Sequence, residues 1–339
     1  QRARSLYPEA FGPYPTGTHN AITDVTGVMV GHVTLHEGTD IRTGVTAIMA
    51  HGLNPYRSRV PAGLCVANGF GKLIGATQVQ ELGELETPVL LTNTLAAPRA
   101  ADALIRWTLE QPGNESVTTV NPFVGETNDS RLNDIRAVSL REPHFLQALS
   151  GARGGAIEEG AVGAGAGTVA FGYKGGIGTS SRVVSVHGEH TVGVLVQSNY
   201  GGELRFAGRR VPSGEVQAAQ QHGAPQGDDG SIMIIIATDA PLSDRNLRRL
   251  AARAHAGLAR TGSGFSNGSG DYALAFSVAE EVRRSEGSHL MTRELANQEL
   301  SPLFAAVIDA TEEAILNSLT MAVDVEGFRG NFVRALRLQ

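Results

Sequence analysis

An α/β or α+β layered sandwich is the fold class this sequence predicts. Three observations lead there. Short Val/Ile runs punctuated by Gly and Asp read as strands joined by turns. Segments of helical periodicity recur in both halves of the chain. Glycine is in excess, 42 of 339 residues, about 12% against a usual ~7%, which favours tight turns and close backbone approaches over a helical bundle. Strands and helices mixed throughout make layers, with no internal repeat.

The elements follow in chain order. Residues 20–50 (NAITDVTGVMVGHVTL, then TGVTAIMA) predict two strands. Residues 95–110 predict a helix with Ala101, Leu104, Ile105 and Leu109 on one face, and residues 140–149 a second helix. Residues 151–178 are Gly-rich and then strand-like. Residues 181–186 and 191–198 predict a β-hairpin around His187 and His190. Residues 205–230 are polar, Gly/Pro-punctuated and without apolar period, and predict a flexible linker. The run SIMIIIATDAP that follows from Ser231 suits a strand buried on both faces. A helix is expected from Ser243 to about Arg260, striped by Leu247, Leu250, Ala251, Ala254 and Leu258. Asn267 to Ser277 reads as a turn feeding a strand. A last helix is expected with Ser301 as N-cap and Pro302 at its first position, its apolar face carrying Phe304, Val307, Ala310, Ala314 and Ile315.

Composition narrows the function. A net charge of -6 gives no attraction to phosphate backbones, so no nucleic-acid partner is expected. The longest strongly apolar run, residues 232–237, is far short of the ~20 residues that cross a bilayer, and no membrane partner is expected. Cys65 is the one cysteine, so no intrachain disulfide or Cys-rich zinc site forms; it is expected as a buried small hydrophobe. The chain opens on Gln1, which leaves a removed signal peptide, the cytoplasm and the periplasm all open.

Four features invite chemistry. The glycine run at 160–167 lacks the following helix that a dinucleotide site needs, and reads as closely packed backbone. His187 and His190 lack companions at ligand spacing and read as a turn tip, with no metal expected. Cys65 lies in an apolar stretch. The Gly230-Ser231 junction differs: an acidic linker meets a serine at the first position of a buried strand. If the bond before Ser231 were cut, that residue would carry both a hydroxyl and a free α-amine. The amine, with an ordinary pKa of ~7.7–8.0, can take the hydroxyl proton, so one residue supplies nucleophile and base. By local sequence alone, Gly-Ser before a strand is usually just a turn.

An ordered set of motifs changes that weighting. They are NAITDVTGVMVG (20–31), RTGVTAI (42–48), LTNT (91–94), GETNDSRLNDI (125–135), KGGIGTSSRVV (174–184) and TVGVLVQSNYG (191–201), then DDGSIMIIIATDAPL (228–242), LARTGS (258–263), NGSGDYALAFS (267–277) and ATEEAILNSL (310–319). Together they cover nearly the whole chain. In these segments the sequence resembles the DmpA family of self-processing N-terminal-nucleophile aminopeptidases, which includes the β-peptidyl aminopeptidases.

The resemblance implies a four-layer αββα sandwich of the N-terminal-nucleophile-hydrolase type. It implies one domain, residues 1–339, cut at Gly230-Ser231 into chains 1–230 and 231–339, and a homotetramer of cut protomers. It implies a serine aminopeptidase that needs no metal or cofactor and removes L-α-, D- or β-aminoacyl residues from small peptides or amino-acid amides. Ser231 matches the nucleophile. Asn199 matches the oxyanion-hole asparagine, a neutral donor that does not titrate. Glu126 matches an active-site acid, here assigned to the substrate's ammonium group. Ser269 and Asp271 match a serine and a carboxylate that support the nucleophile. One departure stands out. The family's namesake has a tyrosine two residues after the glutamate, where this chain has Asn128, and an amide is no phenol. The substrate preference is left open by that change.

Three other readings remain. Related amide-oligomer hydrolases cut internally but use threonine, against Ser231. Amine acyltransferases share the self-cutting logic. A binding protein with the same fold would leave the linker intact.

Overall fold

Ten strands and four helices organise the computed structural model, which describes residues 1–217 and 230–338. In chain order they are β1 (Met29–Glu37), β2 (Ile41–Met49), β3 (Ser58–Gly69), β4 (Leu73–Ile74), β5 (Val89–Asn93), α1 (Ala97–Leu109), β6 (Phe123–Thr127), α2 (Glu142–Ser150), β7 (Gly176–Ser185), β8 (Glu189–Asn199), β9 (Ser231–Thr238), α3 (Asp244–Arg260), β10 (Gly270–Ser277) and α4 (Ser301–Thr320). Shorter strands and turns connect them.

Two sheets result. The first runs β1-β2-β5-β6-β4 and the second β7-β8-β9-β10-β3. Three apolar clusters fix the stacking. Val45, Leu90, Leu104 and Phe145 join the first sheet to α1 and α2. Leu91, Leu195, Met233 and Leu274 fill the space between the sheets. Ile234, Leu250, Ala273 and Ile315 join the second sheet to α3 and α4. Helices, sheet, sheet and helices make four layers, the αββα sandwich expected. The strand from Ser231 explains itself here: every residue of β9 is buried, and its odd and even residues enter different apolar layers.

The hairpin β7-β8 forms as expected, with His187 in the turn at φ 50°. His187 faces Glu299 and His190 faces Asp239. The glycine run holds a single 3₁₀ turn, Gly163–Gly165, and the buried Lys174 ammonium donates to the Gly165 carbonyl, 2.7 Å. Among the described residues no three His, Cys, Asp or Glu side chains converge on a metal site, and no helix is long and apolar enough to cross a membrane.

Four expectations need correction. The cap of α4 is Leu300, not Ser301. The preceding 3₁₀ turn runs straight into the helix, so the Leu300 carbonyl already takes the first helical bond, from Phe304 N–H at 3.0 Å. Leu109 is 39% exposed; the buried side of α1 is made by Ala97, Ala100, Ala101 and Leu104 instead. Cys65 is only half-buried, because it lines an open groove of about 730 Å³ between β3 and α3. The stretch 205–230 is not structureless at its start. Arg205–Phe206 pairs with Arg209–Arg210, anchored by buried Phe206, and Val216–Gln217 pairs with Phe332–Val333. Its Asp228 and Asp229 lie outside the described residues.

Candidate active site

Strand register assembles the site. In the second sheet Ser231 lies directly opposite Asn199 on the antiparallel side and opposite Gly270 on the parallel side. Residues 32 positions apart in sequence thus become cross-strand neighbours. Both Ser231 and Asn199 are 8% exposed. Side chains alternate along a strand, so Ser231 shares a face with Met233, which points into the space between the sheets. The Ser231 hydroxyl makes no hydrogen bond among the described residues.

The bond before Ser231 is also held. The Gly230 carbonyl accepts from the Gly270 N–H at 3.1 Å. A side chain at residue 230 would collide with the neighbouring strand: a Cβ there would meet the Asn199 carbonyl oxygen at 2.2 Å. Glycine before the serine is therefore required by close backbone approach.

Asn199 is pinned at both ends of its amide. Its Oδ1 accepts from Val169 N–H, 3.0 Å, and its Nδ2 donates to the Asn128 carbonyl, 3.0 Å. An amide nitrogen carries two hydrogens, so one donor remains. Asn128 enters the site through that backbone carbonyl. Its own side chain is exposed and turned back on its loop, where Oδ1 accepts from Ser130 N–H. Beneath it lies buried Asp129, which accepts from Thr43 and Asn133; burial raises its carboxyl to about 6.

Glu126 is the fourth residue of β6, 3% exposed, and not a solvated loop carboxylate. One oxygen accepts from the Lys72 N–H at 2.8 Å, the other from the Thr94 hydroxyl. Ser269 and Asp271 flank Gly270. The Ser269 hydroxyl donates to Asp271 Oδ1 at 2.8 Å, while Asp271 Oδ2 is buried with no partner. Burial raises the Asp271 carboxyl above the usual range, and the Ser269 bond opposes that rise only in part. Gly270 alone separates the two, so the group forms around the Ser231 backbone.

With this geometry in place, the family model of "Peptidase family S58" matches residues 20–333. The chain belongs to peptidase family S58. It is a hydrolase, an aminopeptidase by family and relatives. A β-peptidyl aminopeptidase, BapA, from Sphingosinicella microcystinivorans is 40% identical over 99% of this chain and 89% of its own. A crystal structure of a Pyrococcus horikoshii OT3 protein is similar at 44% identity and TM-score 0.90, covering 99% of this chain and 96% of the other. The L-aminopeptidase D-Ala-esterase/amidase of Ochrobactrum anthropi, described as a prototype serine aminopeptidase and a variant of the Ntn hydrolase fold, matches at 35% and TM-score 0.88, over 99% and 95%. The S58 sandwich is therefore of the N-terminal-nucleophile hydrolase type, as the sequence resemblance implied.

Sequence reading missed several participants. Thr94 sat in a quoted motif but had no visible partner. Val169 and Lys72 act through backbone N–H groups, which sequence does not mark. Tyr272, inside NGSGDYALAFS, reads as a core aromatic; strand alternation from Ser231 across to β10 is the signal that could have placed it on the site's face.

Proposed function

We propose that this S58 peptidase activates itself by cutting Gly230-Ser231, giving chains 1–230 and 231–339 of one domain, and then removes N-terminal aminoacyl residues through an acyl-enzyme on Ser231. The observation that carries this reading is the register at Ser231: a buried, unbonded hydroxyl opposite a pinned asparagine, beside a carbonyl already held by a backbone N–H.

In the first step the Ser231 Oγ attacks the Gly230 carbonyl carbon. Gly270 N–H steadies the oxygen that becomes negative. The C–N bond breaks as the Oγ proton passes to the nitrogen, which with its own hydrogen becomes the Ser231 amine, and an ester links Gly230 to Oγ. Water opens the ester and leaves Ser231 as a free N-terminus. In turnover the α-amine takes the Oγ proton as Oγ attacks the substrate's acyl carbon. The remaining Asn199 donor meets the tetrahedral oxygen. The proton passes to the leaving amine, and water hydrolyses the acyl-enzyme by the same route. Asp271 Oδ2 lacks a partner until the cut creates an ammonium group at Ser231; Ser269 holds that carboxylate in place. Glu126 supplies the fixed charge for the substrate's own ammonium. Asn128 contributes its carbonyl to Asn199. The substrates are small peptides and amino-acid amides, with β-aminoacyl compounds the first to test given the BapA relative, and the working unit is a homotetramer.

Denaturing intact-mass measurement tests the reading. Two species, the smaller beginning Ser-Ile-Met-Ile, are expected for the native protein, and one uncut, inactive species for Ser231→Ala. Complete processing of Ser231→Ala would remove Ser231 from the mechanism.

A further inference from the structure

Residues 70–72 link two parts of the site. Phe70 N–H donates to the Ser269 carbonyl at 3.3 Å, and Lys72 N–H donates to Glu126 at 2.8 Å. Gly71 is the residue between them, at φ +128°, where a side chain is strained. A Cβ built on Gly71 would lie 2.8 Å from Glu126 Oε1 and 3.9 Å from the Tyr272 hydroxyl. Carboxylate and phenol therefore both approach the bare backbone of Gly71, where a side chain would crowd the carboxylate.

Tyr272 approaches from the second sheet. It packs in the inter-sheet cluster with Met233, on the face that carries Ser231. The residue is 5% exposed, and its hydroxyl makes no hydrogen bond among the described residues. With no partner among the described residues, the phenol oxygen is free to meet a donor on a bound molecule.

We propose that Tyr272 is a further substrate-binding residue: its hydroxyl, with the Glu126 carboxylate and the bare backbone of Gly71, completes the subsite that takes the substrate's ammonium group. This rests on the aminopeptidase reading of Glu126. The chemistry is complementary. An ammonium group has three donors. Glu126 offers lone pairs left over from its two internal bonds, and the phenol oxygen offers another. Burial, with Glu126 and Asp271 close by, raises the phenol above its ordinary range, so it stays neutral and adds no charge of its own. The aromatic ring itself packs in the apolar layer between the sheets.

The test compares kcat and KM for β-alanyl- and L-alanyl-p-nitroanilide in four processed proteins: the native enzyme, Tyr272→Phe, Gly71→Ala and Glu126→Gln. Processing to two chains, read by mass, confirms that each variant folds, since the self-cut does not use the ammonium subsite. Tyr272→Phe is expected to raise KM by about tenfold, the scale of one hydrogen bond to a charged group, with kcat within about twofold. Gly71→Ala should lower kcat/KM by about a hundredfold or more, because its methyl group crowds the carboxylate. An unchanged KM in Tyr272→Phe while Glu126→Gln raises it would overturn the proposal and leave the aminopeptidase reading intact. An unchanged KM in Glu126→Gln, or no turnover of either substrate by native enzyme, would bring down that reading and the proposal with it.

Discussion

Buried charge is handled in two different ways around the second sheet. On the helix side, buried Glu313 accepts from buried Arg182 at 2.7 Å, from partly exposed Arg4 at 2.8 Å and from buried Asn20 at 2.7 Å. Burial alone would push the Glu313 carboxyl up, but the Arg4 bonds and the Arg182 guanidinium together hold it below the usual range. At the site, no cation among the described residues pairs with Glu126 or Asp271. Glu126 has one backbone amide and one hydroxyl, and Asp271 has a single serine hydroxyl with one oxygen unmatched. The first arrangement is complete as folded. The second leaves acceptors that the proposed function fills with positive charge, on substrate or on a new N-terminus. A buried carboxylate with guanidinium partners builds structure; one held only by neutral donors is set to receive a cation.

The largest effect that could break this contrast is on the structural side. Arg182→Ala strands Glu313 with Arg4 alone, and should cost about 3–5 kcal/mol in urea unfolding. Turnover per folded molecule should change little. A comparable loss of turnover in the folded fraction would mean that the two regions are not separate. Next comes Asn199→Ala. Its remaining donor is expected to serve the transition state, so kcat should fall about 10²–10³-fold with a much smaller change in KM. Equal kcat in the two proteins would take Asn199 out of the oxyanion role.

The smallest effect is a pH dependence at Asp271. Its carboxyl is raised in the folded, uncut protein, so the fold holds that proton to higher pH than the unfolded chain does. The associated stability is full below the unfolded pKa of about 4 and is lost as pH rises through the raised folded value. In the uncut Ser231→Ala background, Asp271→Asn should therefore gain thermal stability relative to its parent between pH 4 and 8, and more at the upper end. In the cut enzyme the same substitution should lower activity, because an ammonium group is then present to be stabilised. A flat difference across that range would show that Asp271 meets no desolvation cost.

Much of the layer plan was legible because its signals are local. Alternation announced the β7-β8 hairpin, the Ile run announced β9, and Leu247, Leu250 and Leu258 announced the buried face of α3. Ser231 stood out at the junction of an acidic linker with a buried strand and gained its weight from motif resemblance, whereas Asn199 and Glu126 were named through the resemblance alone. What stayed hidden depends on tertiary register. Leu300 caps a helix because a 3₁₀ turn continues into it, against the stronger local signal of Ser-Pro. Phe206 anchors a ribbon inside a segment with no apolar period. Tyr272 looks like any aromatic in a buried strand until the Gly71 loop is folded against Glu126.

The order of the second sheet carries a consequence for handling the protein. The strands β9 and β10, from the far side of Gly230, lie between β8 and β3, from the near side, and Val216–Gln217 is tied to Phe332–Val333. A cut at residue 230 would therefore release nothing: the two pieces are interleaved within one hydrogen-bonded ladder. It would, however, change the molecularity of folding. The uncut precursor refolds as a single chain, at a rate independent of dilution, whereas the cut pieces must find each other again. In a cut form, recovery from denaturant should then depend on protein concentration at the step that rebuilds the second sheet, a dependence that the single chain does not have at that step.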